Sequence, residues 1–182
     1  MQLILLLVMV SLVCLILQIP HLSAVAEWRI DSIEQGEWLR ILSGNFTHTN
    51  FTHLAMNLGA LWIMAFIFRP SAISYAILLL IISLGVGTGL LFSSIPIYLG
   101  LSGSLHGLFA FYALSEALQG RKSSWLLLAG VVIKVIWEMT QGASVSTAEL
   151  IDARVAVEAH LTGVLIAIPI AGLNYIYHKN GR

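Results

Sequence analysis

The chain has 182 residues, of which 58% are hydrophobic and 10% charged, with a formal net charge of zero. So little charge cannot coat a water-soluble domain, and the neutral balance without a basic–aromatic patch excludes nucleic acid as a partner. The apolar residues run in long blocks: 1–19, 71–92 and 123–133 hold no charged side chain. About 20 apolar residues suffice for a helix to cross ~30 Å of hydrocarbon. The chain therefore reads as an all-α, multi-pass membrane protein, a single domain over 1–182.

In chain order, six spans are predicted, at about 2–20, 50–68, 72–93, 99–118, 123–139 and 155–177. The first carries Cys14, a lone cysteine in apolar surroundings and a packing residue. Leu22-Ser23-Ala24-Val25-Ala26 after it has the look of a signal-cleavage site, but the run lacks a basic start and is long for a signal. A retained helix is expected, with a cleaved signal as the alternative. Residues at about 21–49 form a large outer loop. Its Trp28, Ile30, Trp38 and Leu39 among charges suggest structure lying in the membrane interface. Arg69-Pro70, Ser93-Ser94-Ile95-Pro96 and Gly120-Arg121-Lys122 end the second, third and fourth spans. With the amino terminus inside, the inner segments hold Arg69, Arg121, Lys122, Lys179 and Arg182, and the outer ones Arg29, Arg40 and Arg154. Basic residues favour the inner side, so this orientation is expected.

Strongly polar side chains within spans are costly, and each calls for a function or a partner. Span two carries His53 and Asn57, span four Ser102 and His106, span five Lys134 and Glu138, and span six Glu158 and His160. Spans two, four and six all run inward. At ~1.5 Å per residue their His53, Asn57, Ser102 and His160 fall near one depth, just below the outer surface. His53 and Asn57 are spaced i, i+4, as are Ser102 and His106. Gly103 and Gly107 beside Ser102, and Gly163, Ala167 and Ala171 beneath His160, let spans four and six approach closely. A serine and a histidine within hydrogen-bond reach form a nucleophile and its base. Gly100 permits a tight turn into span four, where unpaired N–H groups face a developing oxyanion.

These residues resemble the rhomboid family. His48-Thr49-Asn50-Phe51-Thr52-His53-Leu54-Ala55-Met56-Asn57 is similar to its two-histidine, one-asparagine pattern on the second span. Gly100-Leu101-Ser102-Gly103 resembles its G-x-S-G, and Ala159-His160-Leu161-Thr162-Gly163 its A-H-x-x-G. The resemblance implies a six-helix rhomboid bundle that hydrolyses peptide bonds in or near a substrate's transmembrane segment. Ser102 would attack, His160 would move the proton, and His53, Asn57 and the Ser102 N–H would hold the oxyanion. No aspartate belongs to the pattern, so a dyad is expected. Glu37-Trp38-Leu39-Arg40 resembles the family's outer-loop Trp-Arg region, with Leu39 between the pair. Leu101-Ser102-Gly103-Ser104-Leu105-His106-Gly107, the short chain and Glu138 look like the rhombosortase branch. That branch implies bacterial substrates with a C-terminal Gly-Gly motif, apolar helix and basic tail, and an inner-membrane site facing the periplasm.

Other readings stand beside these. His106 either packs under His160 or is itself the base. Lys134 and Glu138 either neutralise each other, or Glu138 lines the substrate's way in or contacts a polar substrate motif. His48 braces the loop, and Glu158 at a helix start is structural. No cofactor is expected. A metal or ion transporter using His48, His53, His106 and His160 is the alternative, although no carboxylate or cysteine accompanies them at convincing spacing. A third reading is an inactive rhomboid-like chaperone.

Overall fold

A computed structural model describes residues 1–180, so Arg182 of the basic inner set lies outside the described residues. The first span forms helix α1, Gln2–Ile16, ending a few residues short of its predicted limit. The chain turns by 103° there, and Pro20 in the first turn of α2, Pro20–Ala26, fits the restart of the helix. The outer segment continues through strand β1, Trp28–Arg29, and the short helices α3, Ile30–Glu34, and α4, Arg40–Ser43. Helix α5, Phe51–Phe68, is capped by Asn50, whose side chain accepts from the His53 N–H. It ends at Arg69 in a left-handed conformation just before Pro70. Helix α6, Ala72–Gly89, is capped by Ser71 and followed by a tight turn over Leu90–Phe92. Strand β2, Ile97–Tyr98, precedes α7, Ser102–Leu118. Then come α8, Ser124–Gln141, the short α9, Val145–Ile151, and α10, Val157–Asn180.

Helices α5, α6, α8 and α10 are each long and apolar enough to cross a membrane, and α1 with α2 qualifies as a bent pair. Helix α7 is shorter, and most of its side chains are buried between the others. The architecture is the expected all-α membrane bundle. Apolar side chains such as Leu12, Phe66, Leu84, Ile133 and Leu173 are exposed around it, where lipid takes the place of a protein core.

The bundle is tightest between α7 and α10. A Cβ on Gly163 would fall 2.0 Å from the Gly103 carbonyl oxygen, and one on Gly107 2.7 Å from that of Gly163. Only glycine allows two backbones this close. His160, Gly163, Ala167 and Ala171 form one buried seam of α10, as their spacing predicted.

The outer segment departs from expectation at Trp28. Its ring is fully buried, and its indole N–H donates to the Gly87 carbonyl at 2.8 Å. An indole with an internal acceptor belongs in the core rather than the interface. Trp38 and Leu39 do remain exposed, at 64% and 84%. Arg40 is buried: its guanidinium donates to the carbonyls of Ala24 and Glu27, each at 2.9 Å, and to the Glu37 carboxylate. β1 pairs antiparallel with β2, Trp28 opposite Tyr98, and the Gly100 N–H donates to the Gly44 carbonyl. The outer segment thereby grips the loop that leads into Ser102. Below it, Ser104 donates to Asn45, which donates to the Ser83 carbonyl, so these buried polar groups are satisfied.

Candidate active site

Helices α5, α7 and α10 begin, and α8 ends, at the same end of the bundle. Polar side chains at that end line one cavity of about 410 Å³: Thr49 from the turn before α5, with His53, Asn57, Ser102, His106, Lys134, Glu138 and His160 from the helices. The depth coincidence expected from the sequence is therefore realised in space. Ser102 is the first residue of α7, nearer the helix start than the predicted span placed it. Its backbone N–H lacks an acceptor within the helix and adds to the positive end of the dipole. Gly100, two residues earlier, has φ +123°, and a Cβ there would sit 2.7 Å from His53 Nε2. Both the backbone conformation and the space require glycine.

Ser102 Oγ lies 2.9 Å from His160 Nε2. The other ring nitrogen, Nδ1, is 2.8 Å from Glu138 Oε2. A carboxylate only accepts, so it takes a hydrogen bond from Nδ1–H, and Nε2 is left free to accept from the serine hydroxyl. Beyond the expected pair of residues, a carboxylate also stands on the histidine. It comes from α8, a helix with no motif to mark it, which is why spacing did not reveal it. Glu138 Oε1 in turn accepts from Lys134 Nζ at 2.5 Å. The ion pair, one of the two readings left open for these residues, is present, and Glu138 serves it with one oxygen and His160 with the other while also lining the cavity.

His106 stacks on His160, ring centroids 3.9 Å apart and planes 17° from parallel. Its Nδ1 is 2.8 Å from the Ser102 carbonyl and its Nε2 is 3.0 Å from Lys134 Nζ. Donation from the ammonium makes Nε2 an acceptor and Nδ1 the donor, so both nitrogens are engaged. This geometry supports packing beneath His160 and leaves no nitrogen of His106 facing the Ser102 hydroxyl.

Asn57 is buried, lines the cavity, and its amide Nδ2 has no partner among the described residues. It is a donor waiting for an acceptor. His53 is arranged differently. Thr49 Oγ1 donates to the Ile151 carbonyl at 2.6 Å and is 3.1 Å from His53 Nδ1. With its one proton spent on the carbonyl, the hydroxyl accepts from Nδ1–H, which leaves Nε2 unprotonated in this arrangement. Thr49 and α9, which carries Ile151, were not anticipated as parts of the site. Neither has a sequence signal beyond polarity.

His48 is buried in the turn before α5, edge-on to His53 with centroids 5.0 Å apart. Burial, and the neighbouring His53, lower its pKa to about 3. Glu158, in the first turn of α10, pairs with Arg154 just before the helix. Cys14 is buried and free.

His106, Glu138 and His160 each offer a ligand atom within 4.8 Å of the others. A carboxylate therefore does accompany two of the histidines, contrary to the reading from spacing. The Lys134 ammonium already occupies His106 Nε2 and Glu138 Oε1, and a fixed cation among the donors opposes a divalent ion. The donor set does not fit a metal centre.

Beside this cavity a second, apolar one of about 520 Å³ opens between α5 and α8. His106 and Lys134 line both. A family model described as Rhomboid domain matches residues 35–176 of the chain. No curated protein matches it.

Proposed function

This chain belongs to the rhomboid family, and from that premise we propose that it is a serine protease cutting membrane-anchored proteins, one domain with Ser102 as nucleophile and His160 as base. The observation that carries the reading is the 2.9 Å contact between Ser102 Oγ and His160 Nε2 at a helix start inside a polar cavity. In the first half-reaction Ser102 Oγ attacks the substrate carbonyl carbon and its proton passes to His160 Nε2. The carbonyl electrons move onto oxygen, where Asn57 Nδ2 and the Ser102 N–H donate to the oxyanion. The C–N bond breaks as Nε2 returns the proton to the leaving nitrogen, leaving an ester on Ser102. Water then attacks the ester, giving its proton to Nε2, and collapse of the second tetrahedral species releases the acid and restores the serine hydroxyl. His53 joins the oxyanion donors once Thr49 turns its hydroxyl from Ile151 to Nδ1, which places the ring proton on Nε2.

The finer reading is the rhombosortase branch, with substrates that end in a Gly-Gly motif, an apolar helix and a basic tail. It is supported by the sequence around Ser102, by His106 under His160 and by Glu138 in the cavity. We read the site as opening to the periplasmic side of a bacterial inner membrane, a reading that the excess of Lys and Arg in the opposite connections supports. The test is cleavage of such a substrate by the protein reconstituted in lipid. Wild type is expected to cut, and Ser102→Ala and His160→Ala are not. Cleavage that survives Ser102→Ala ends the serine-protease reading. Cleavage that ignores replacement of the Gly-Gly motif ends the branch reading alone.

A further inference from the structure

We infer that Glu138 completes a Ser102–His160–Glu138 triad as the positioning residue of the base, and that Lys134 sets which way residue 138 faces. The inference rests on the protease reading above. Glu138 spans two partners from α8, with Oε2 at 2.8 Å from His160 Nδ1 and Oε1 at 2.5 Å from Lys134 Nζ. Its side chain is largely buried, and the imidazole it holds is more so. The carboxylate fixes the tautomer that has its proton on Nδ1 and an acceptor at Nε2. It also faces the positive charge that arises on the ring when Nε2 takes the Ser102 proton. His106, stacked beneath the ring and tied to Lys134, blocks the remaining tilt.

Lys134 gives this role a signature that packing alone does not have. In Glu138→Gln the side chain keeps its shape but has one oxygen and one NH₂. The ammonium can only donate, so it takes the oxygen and turns the NH₂ toward His160 Nδ1. That ring nitrogen must then accept, which moves the proton to Nε2, where it blocks the serine. Glu138→Ala removes the carboxylate without enforcing the wrong tautomer. The near-isosteric change is therefore expected to be at least as damaging as the truncation, the reverse of what a packing role gives.

The experiment uses the full chain in detergent and a fluorophosphonate, which needs no natural substrate. Ser102 Oγ displaces fluoride at phosphorus, forming the O–P bond as its proton leaves through His160. The maximal labelling rate and the half-saturating concentration are measured for wild type, Glu138→Gln, Glu138→Ala and Glu138→Asp, with thermal midpoints taken alongside. Glu138→Gln is expected to lower the maximal rate by about 10²–10⁴-fold with unchanged half-saturation. Glu138→Ala should lose no more than that, and Glu138→Asp should recover much of the rate. Wild-type labelling by Glu138→Gln, or a loss greater in Glu138→Ala than in Glu138→Gln, overturns the inference while leaving Ser102 and His160 in place. Equal labelling of wild type and Ser102→Ala would instead remove the reading it rests on. Should the variants not fold, ¹⁵N-histidine spectra of the wild type decide. A proton on His160 Nδ1 with Nε2 bare is expected, and the opposite tautomer overturns the inference.

Discussion

Across the α7–α10 seam the two backbones touch, Gly163 against the Gly103 carbonyl, whereas α5 and α8 stand apart around an apolar groove lined by Ile63, Met64, Phe109, Leu126 and Gly130. The tight side carries Ser102 and His160. The open side carries Asn57, Lys134 and Glu138. Groups that exchange a proton need fixed separation, and contact between backbones supplies it. On the proposed function a long apolar substrate would enter from lipid, and the apolar gap between the two helices is the candidate way in. The polar cavity lies where these two kinds of packing meet, at His106 and Lys134.

The comparison can be sharpened first on the open side. Asn57→Ala removes the donor that has no internal partner. The expected loss is about 10²–10³-fold in kcat with little change in KM, measured on a transmembrane substrate. An unchanged kcat would take Asn57 out of the oxyanion site. On the tight side, Gly163→Ala puts a methyl group where the Gly103 oxygen stands. Overpacking of this kind costs about 1–3 kcal/mol, and an ångström of separation costs on the order of 10²-fold in rate. A lower thermal midpoint and slower labelling are expected together.

Gly130 lines the groove, and a Cβ there meets nothing within 4 Å. Gly130→Phe should therefore fold, fill the groove and slow cleavage of a transmembrane substrate roughly thirtyfold, a loss of the order of one hot-spot contact. Labelling by a small fluorophosphonate should not change. Equal slowing of both would mean that the groove is not the way in.

The smallest effect concerns His48, whose pKa falls from 6.5 to about 3 on burial. The unfolded chain binds this proton more readily than the folded one. Its stabilising contribution is therefore full above pH 6.5 and declines as pH falls toward 3. Between pH 6.5 and 5.5 the decline is about 1 kcal/mol. His48→Phe should make the fall of the thermal midpoint over that interval shallower, with activity at neutral pH retained. An equally steep fall would assign the acid sensitivity elsewhere.

Much of this organisation is legible in the chain itself. The spans follow from apolar length, and their limits from the Arg69-Pro70, Pro96 and Gly120-Arg121-Lys122 breaks. The proximity of Ser102 and His160 follows from small residues at helical spacing. Glu138 was visible as a costly charge, but its bond to His160 was not. The i, i+4 spacing to Lys134 accounts for one carboxylate oxygen, while the other depends on how α8 packs beside α10. Trp28 shows the same limit. An indole near charged residues suits the interface, and only the three-dimensional position of Gly87 supplies an internal acceptor. Thr49 gains its place from α9, roughly a hundred residues away, a separation over which local pattern carries no information.

The most direct measurement is peptide mapping of the fluorophosphonate-treated protein in lipid. A single adduct on Ser102 that disappears in His160→Ala is expected. An adduct on another residue, or one on Ser102 whose rate is indifferent to His160→Ala, would contradict a serine activated by that imidazole.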